Sequence, residues 1–144
     1  MTTSDDSDAL RIRDLAGRFR AAIEACDLKS LPNTFHGFPR GSCGDATLVL
    51  AKYLKDNGQE GFVYVCGMRE GHSHARLQRG NLVVDITGDQ FPDNDDRVCV
   101  SRASAWHAQF EVDHEDPSDI DVYDDFTRFN LCAAYDRISQ HLTV

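Results

Sequence analysis

Three residues of this chain could do chemistry together: Cys43, His74 and Asp85. Cys43 lies in the stretch Phe38-Pro39-Arg40-Gly41-Ser42-Cys43-Gly44-Asp45, between small residues and directly before a run with helical spacing. A helix start carries unpaired N–H groups and a partial positive charge, both of which favour an anion. A thiolate is an anion, and it is the reactive form of cysteine. A carboxylate can hold an imidazole in one tautomer. That imidazole can then take the thiol proton and later give it to a leaving group. Nucleophile, base and orienting acid follow one another along the chain in the order a thiol-based triad would use.

Each member has a rival. His72 sits two residues from His74, on the same face of a strand, and competes as the base. Asp89 competes with Asp85, but it follows Gly88 and reads as loop. His72 and His74 also permit a zinc site completed by Asp85 or Cys43. Asp93-Asn94-Asp95-Asp96 resembles part of a calcium loop, lacks the glycine and distal glutamate, and reads as a turn. Trp106-His107 reads as a packing anchor. For an oxyanion, the Cys43 backbone N–H is the default donor, with Asn33, His36 and Gln90 as side-chain candidates. Arg40 is a candidate for binding a substrate carboxylate. The thiol reading needs no cofactor and no metal.

These residues need elements to position them. Ile12, Leu15, Ala16, Phe19, Ala22, Ile23 and Cys26 follow helical spacing, which predicts an amphipathic helix from Asp8 to about Asp27. Arg11, Arg13, Arg18 and Arg20 fall on its other face, and residues 1–7 read as a disordered lead. After a loop over 28–42, a second helix is predicted from Cys43 to Asn57, stopped by Gly58. Phe62 to Cys66 is rich in β-formers. His72–Gln78 and Leu82–Thr87 form the arms of a hairpin, and Arg97–Ser101 a short fourth strand. The acidic stretch 111–125 reads as a solvated loop, and a last helix runs from about Asp125. The fold class is α+β: a core helix bearing the cysteine, packed on an antiparallel sheet of about 3–5 strands and flanked by the terminal helices. Residues 8–144 form one domain.

The hairpin turn decides whether His74 can meet Asp85. An Arg79-Gly80 loop sets them directly opposite, and a Gly80-Asn81 loop makes them diagonal neighbours on one face. A three-residue loop would put them on opposite faces. The apolar pattern groups Ala75 and Leu77 with Leu82, Val84 and Ile86, and leaves His74 and Asp85 together on the other face. For Cys43 to join them, the second helix must cover that more polar face, with the terminal helices on the other.

Composition narrows the partners. A formal net charge of -9 over 144 residues argues against nucleic acid or an anionic membrane as partner. There is no apolar run of about 18 residues. The five cysteines contain no CxxC pair and suit a reducing cytosol as free thiols.

The segments FPRGSCGDATLVLAKYL, SHARL and VVDITGDQF, in that order, resemble the papain-like cysteine proteases, and most of all their transglutaminase-like branch. The resemblance covers roughly residues 35–91. It implies a core helix against an antiparallel sheet, with Cys43 as nucleophile, His74 as base and acid, and Asp85 as orienting group. Members of that branch often carry an aromatic residue two places after the histidine, where this chain has Arg76. The expected activity is cysteine-dependent hydrolysis of an amide bond in a peptide, protein or small amide. The same residues would serve an acyl transferase, and a non-catalytic peptide- or protein-binding domain of the same fold is the remaining alternative.

Overall fold

A computed structural model describes residues 4–142. The fold is α+β. Its helices are α1 (Ser4–Ala25), α2 (Cys43–Asp56), the single turn α3 (Ala105–Ala108) and α4 (Asp125–Ser139). Its strands are β1 (Val63–Arg69), β2 (His72–Arg79), β3 (Leu82–Asp85), β4 (Cys99–Arg102) and β5 (Glu111–Pro117). They form one antiparallel sheet in the order β4-β3-β2-β1-β5.

The predicted face of α1 is buried: Ile12, Leu15, Ala16, Phe19, Ala22, Ile23 and Cys26 all join the core. The helix itself starts at Ser4, inside the stretch expected to be a disordered lead; residues 1–3 lie outside the described ones. Arg20 departs from expectation. It is buried, and its guanidinium donates to the Ile86 carbonyl at 2.7 Å and to both Asp89 oxygens at 2.8 and 2.9 Å. Helical spacing put Arg20 on the polar face, but that face meets the loop after β3, whose carbonyl and carboxylate satisfy the charge.

Helix α2 ends where Gly58 predicts, in a Schellman motif. Gly58 has φ +84°, its N–H bonds to the Lys55 carbonyl, and the Gln59 N–H bonds to Leu54. Val49, Leu50 and Leu54 are buried in one cluster with α1, α4, the sheet residues Leu77, Leu82 and Val84, and Ile86 just after β3. Truncating Leu50 there would cost about 2–5 kcal/mol.

The β2–β3 hairpin closes on Arg79 and Leu82, so Gly80 and Asn81 form the two-residue loop. A φ of +61° at Gly80, with Asn81 outside the left-handed region, fits a type II′ turn. Leu77 pairs with Val84, which makes His74 and Asp85 diagonal neighbours on one face.

Two further sequence expectations change. The stretch 111–117 is an edge strand paired with β1 rather than a loop. It is exposed on both faces, so it lacks the alternation that marks a half-buried strand, and its acidic side chains blunt the open edge. Strand β4 spans 99–102 rather than 97–101. No helix among the described residues is long and apolar enough to cross a membrane.

Candidate active site

The three long helices pack on the Leu77–Val84 face of the sheet, while His74 and Asp85 point to the opposite face. Helix α2 therefore does not cover the polar face as expected from the sequence. A split in the sheet brings the groups together instead. The β2–β3 ladder stops at Leu77 and Val84, so the earlier part of β2 has no partner on that side. Register turns the Ala75 N–H into this gap, because Leu77 and Arg79, two and four residues on, face β3. The start of α2 enters there and brings the Cys43 sulfur beside the Ala75 N–H, which helps to lower its pKa.

Cys43 is the first residue of α2, and no side chain caps that helix; the Ser42 hydroxyl donates instead to the Thr34 carbonyl at 2.6 Å. The first-turn N–H groups remain available to an anion. Burial pushes the Cys43 thiol up, but the His74 ring and the Ala75 N–H more than offset this, and its pKa lies below the ordinary thiol value. Burial pushes Cys26 and Cys66 up, and Cys99 to about 11. None of the five cysteines is in a disulfide.

His74 and Asp85 are each 2% exposed. Burial opposes charge on the ring, yet bonding to Asp85 and Cys43 raises His74 to about 9. Burial likewise opposes charge on Asp85, and bonds from His107 and His74 hold its pKa below the carboxylate range all the same. An ionised carboxylate only accepts, so both rings donate through Nε2–H to Oδ2, His74 at 2.6 Å and His107 at 2.7 Å. The other oxygen accepts the Thr87 N–H at 2.8 Å. This leaves Nδ1 of His74 for Cys43. Phe91, Trp106 and Phe110 enclose the ring, with centroids 5.2, 5.7 and 5.8 Å away. Gly88 permits the close packing: a Cβ there would stand 3.0 Å from Asp85 Oδ2 and 2.8 Å from the Asn94 amide.

The other candidates are placed as follows. Gln90 lies beside His74, its amide nitrogen 3.3 Å from Nδ1 and donating to the Thr87 carbonyl at 3.0 Å. His36 sets Nε2 at 2.9 Å from the Leu31 carbonyl, and Asn33 is exposed at the start of the short 3-10 turn 33–35. Arg40 and His72 are exposed and line, with Arg69, Gln90 and Phe91, a cleft of about 420 Å³ beside His74. Asp89 is held by Arg20, and Arg76 is buried, donating to Gln78 at 3.0 Å. A second concavity of about 360 Å³ lies by the opposite end of α2 from Cys43.

Sequence reasoning missed two groups. Tyr64 on β1 sets its hydroxyl beside the start of α2, 3.2 Å from where a Cβ on Gly44 would be. Burial and then the neighbouring Cys43 charge push that phenol up, so it stays protonated and can donate. His107, read as a packing anchor, bonds directly to Asp85. The signal available for it was Ser104 three residues earlier, which caps α3. Zinc-compatible residues do converge here, as His74, Asp85 and His107 rather than His72. Their 2.6 and 2.7 Å separations are hydrogen-bond lengths, whereas two ligands on one tetrahedral zinc stand about 3.3 Å apart. The donor set as placed does not fit that ion.

No protein-family model, curated protein or solved structure matches the chain.

Proposed function

We propose that this protein is a thiol hydrolase that opens an amide bond through an acyl-thioester on Cys43. One observation carries the reading: a buried carboxylate fixes a buried imidazole, and the cysteine beside that imidazole is the one whose pKa is lowered. The thiolate adds to the substrate carbonyl, and the negative oxygen is held by the Cys43 N–H and the Tyr64 hydroxyl. The His74 imidazolium then gives its proton to the nitrogen as the C–N bond breaks, leaving an acyl-thioester and a free amine. His74, now neutral, takes a proton from water, whose oxygen attacks the thioester. The C–S bond then breaks, the carboxylic acid leaves with the second water proton, and the Cys43 thiolate and His74 imidazolium are restored. An amine in place of water would give acyl transfer by the same steps.

The order and placement of these residues support a relation to the papain-like, transglutaminase-like enzymes, and the unpaired cysteines suit a reducing cytosol. The cleft beside His74, with Arg40 at its rim, suits an acyl group that carries a carboxylate. The test uses p-nitrophenyl acetate, an activated acyl donor. The parent protein should turn it over and carry a transient acetyl group on Cys43, seen by peptide mass spectrometry, and Cys43→Ala should do neither. Turnover that survives in Cys43→Ala, or an adduct on another residue, overturns the proposal.

A further inference from the structure

Asp85 is bonded on two sides, and the thiol mechanism uses only one of them. The second side is His107 on α3, 1% exposed. Its other ring nitrogen, Nδ1, lies 2.6 Å from the Ser104 hydroxyl. That hydroxyl oxygen also accepts the His107 backbone N–H at 3.4 Å, so its own proton is free to donate to Nδ1. The ring is left with its proton on Nε2, aimed at Asp85. Ser104, His107, Asp85 and His74 are thereby joined in one chain of hydrogen bonds that ends beside the Cys43 sulfur.

We propose that His107, oriented by Ser104, is a positioning residue for the thiol site: it holds the Asp85 carboxylate ionised and in the plane of the His74 ring. The inference rests on the thiol reading above. Two imidazoles donating to one oxygen, with Thr87 fixing the other, leave the carboxylate no freedom to rotate. Facing Asp85 are His74 and Arg76 from β2, Cys99 from β4, Cys43 from α2 and His107 from α3. Of these, His74 and His107 bond to it through side chains; the Thr87 hydroxyl adds a longer bond to Oδ1 at 3.4 Å. Without His107 the buried anion keeps its desolvation cost and loses a donor. It then takes up a proton at higher pH and ceases to support the imidazolium.

The variants separate hydrogen bonding from packing. His107→Phe keeps a ring among Trp106 and its neighbours but removes the donor. His107→Gln places an amide N–H close to the Nε2 position and removes the ring. Iodoacetamide labelling of Cys43, followed by peptide mass spectrometry across pH 4–8, gives the pH at which the thiolate is lost. In His107→Phe this acid limb should move up by about one pH unit, a tenfold drop in labelling at the acid end. His107→Gln should restore the parental limb. Ser104→Ala, at a half-buried position, should shift it in the same direction by less. A limb in folded His107→Phe that matches the parent overturns the inference, as does His107→Gln behaving like His107→Phe. If His107→Phe does not fold, an unshifted limb in Ser104→Ala overturns it. A parent protein with no acid-side labelling of Cys43 instead overturns the thiol reading itself.

Discussion

Replacing Asp85 by asparagine probes the centre of the arrangement with almost no change of shape. In the parent protein Oδ2 accepts two imidazole N–H groups and Oδ1 accepts the Thr87 N–H. An amide cannot accept at both positions. If its oxygen takes the Oδ2 place, its NH2 group faces the Thr87 N–H; if it turns over, it faces both rings. Each orientation leaves at least one buried donor unpaired, at about 1–3 kcal/mol. For a chain of this size that is about 2–12 °C in Tm, at about 2–4 °C per kcal/mol. The protein should stay folded at 25 °C. Without the carboxylate His74 is no longer held as imidazolium, and that loss outweighs the smaller direct push of the Asp85 charge on the thiol, so Cys43 returns toward its ordinary value of 9.0, where about one thiol in a hundred is ionised at pH 7. Iodoacetamide labelling of Cys43 at pH 7 should therefore fall by up to about 100-fold. Turnover of an amide substrate should fall by about 10⁴-fold, the loss seen when a triad acid becomes its amide. A folded Asp85→Asn protein that labels Cys43 at the parental rate refutes the reasoning.

Four further outcomes are expected. Gly88→Ala puts a methyl against Asp85 Oδ2 and Asn94, so it should slow Cys43 labelling at pH 7 although it touches neither Cys43 nor His74. Tyr64→Phe should leave labelling unchanged and lower kcat for acyl turnover by about 10²–10³-fold, as loss of an oxyanion donor does. Asp85 is held below its unfolded value of 3.8, so its contribution to stability is present above that value and lost as pH falls below it. The parent Tm should thus drop more steeply than that of Asp85→Asn between pH 5 and pH 3. His74 is raised from 6.5 to about 9, so its contribution is present below 6.5 and lost as pH rises through 9. Formation of the Cys43 thiolate offsets this in the parent, so the effect is read in Cys43→Ala, whose Tm should decline from pH 7 to pH 10 while that of Cys43→Ala/His74→Gln stays flatter.

Periodicity carried the parts of the fold that local rules govern. The buried stripe of α1, the Gly58 stop of α2 and a two-residue hairpin loop containing Gly80 each follow from spacing plus one turn residue, and the structure selects Gly80-Asn81 over Arg79-Gly80 for that loop. The hairpin alone set His74 and Asp85 on one face. Strand β5 was hidden because an edge strand exposed on both sides has no alternation to read. Arg20 was hidden because burial of a charge depends on partners 66 and 69 residues away. The approach of Cys43 through the split between β2 and β3 depends on where a ladder stops, and no residue type marks that place. His107 reaches Asp85 from a one-turn helix beyond the 35–91 stretch, and only its capping serine hinted at an ordered ring.

The most direct measurement is the pH dependence of alkylation resolved at each cysteine. The account expects Cys43 to titrate clearly below 9.0, with an apparent pKa lower than those of Cys26, Cys66 and Cys99, and to lose that advantage in His74→Ala. A Cys43 that titrates at or above 9.0 alongside the other three would contradict it.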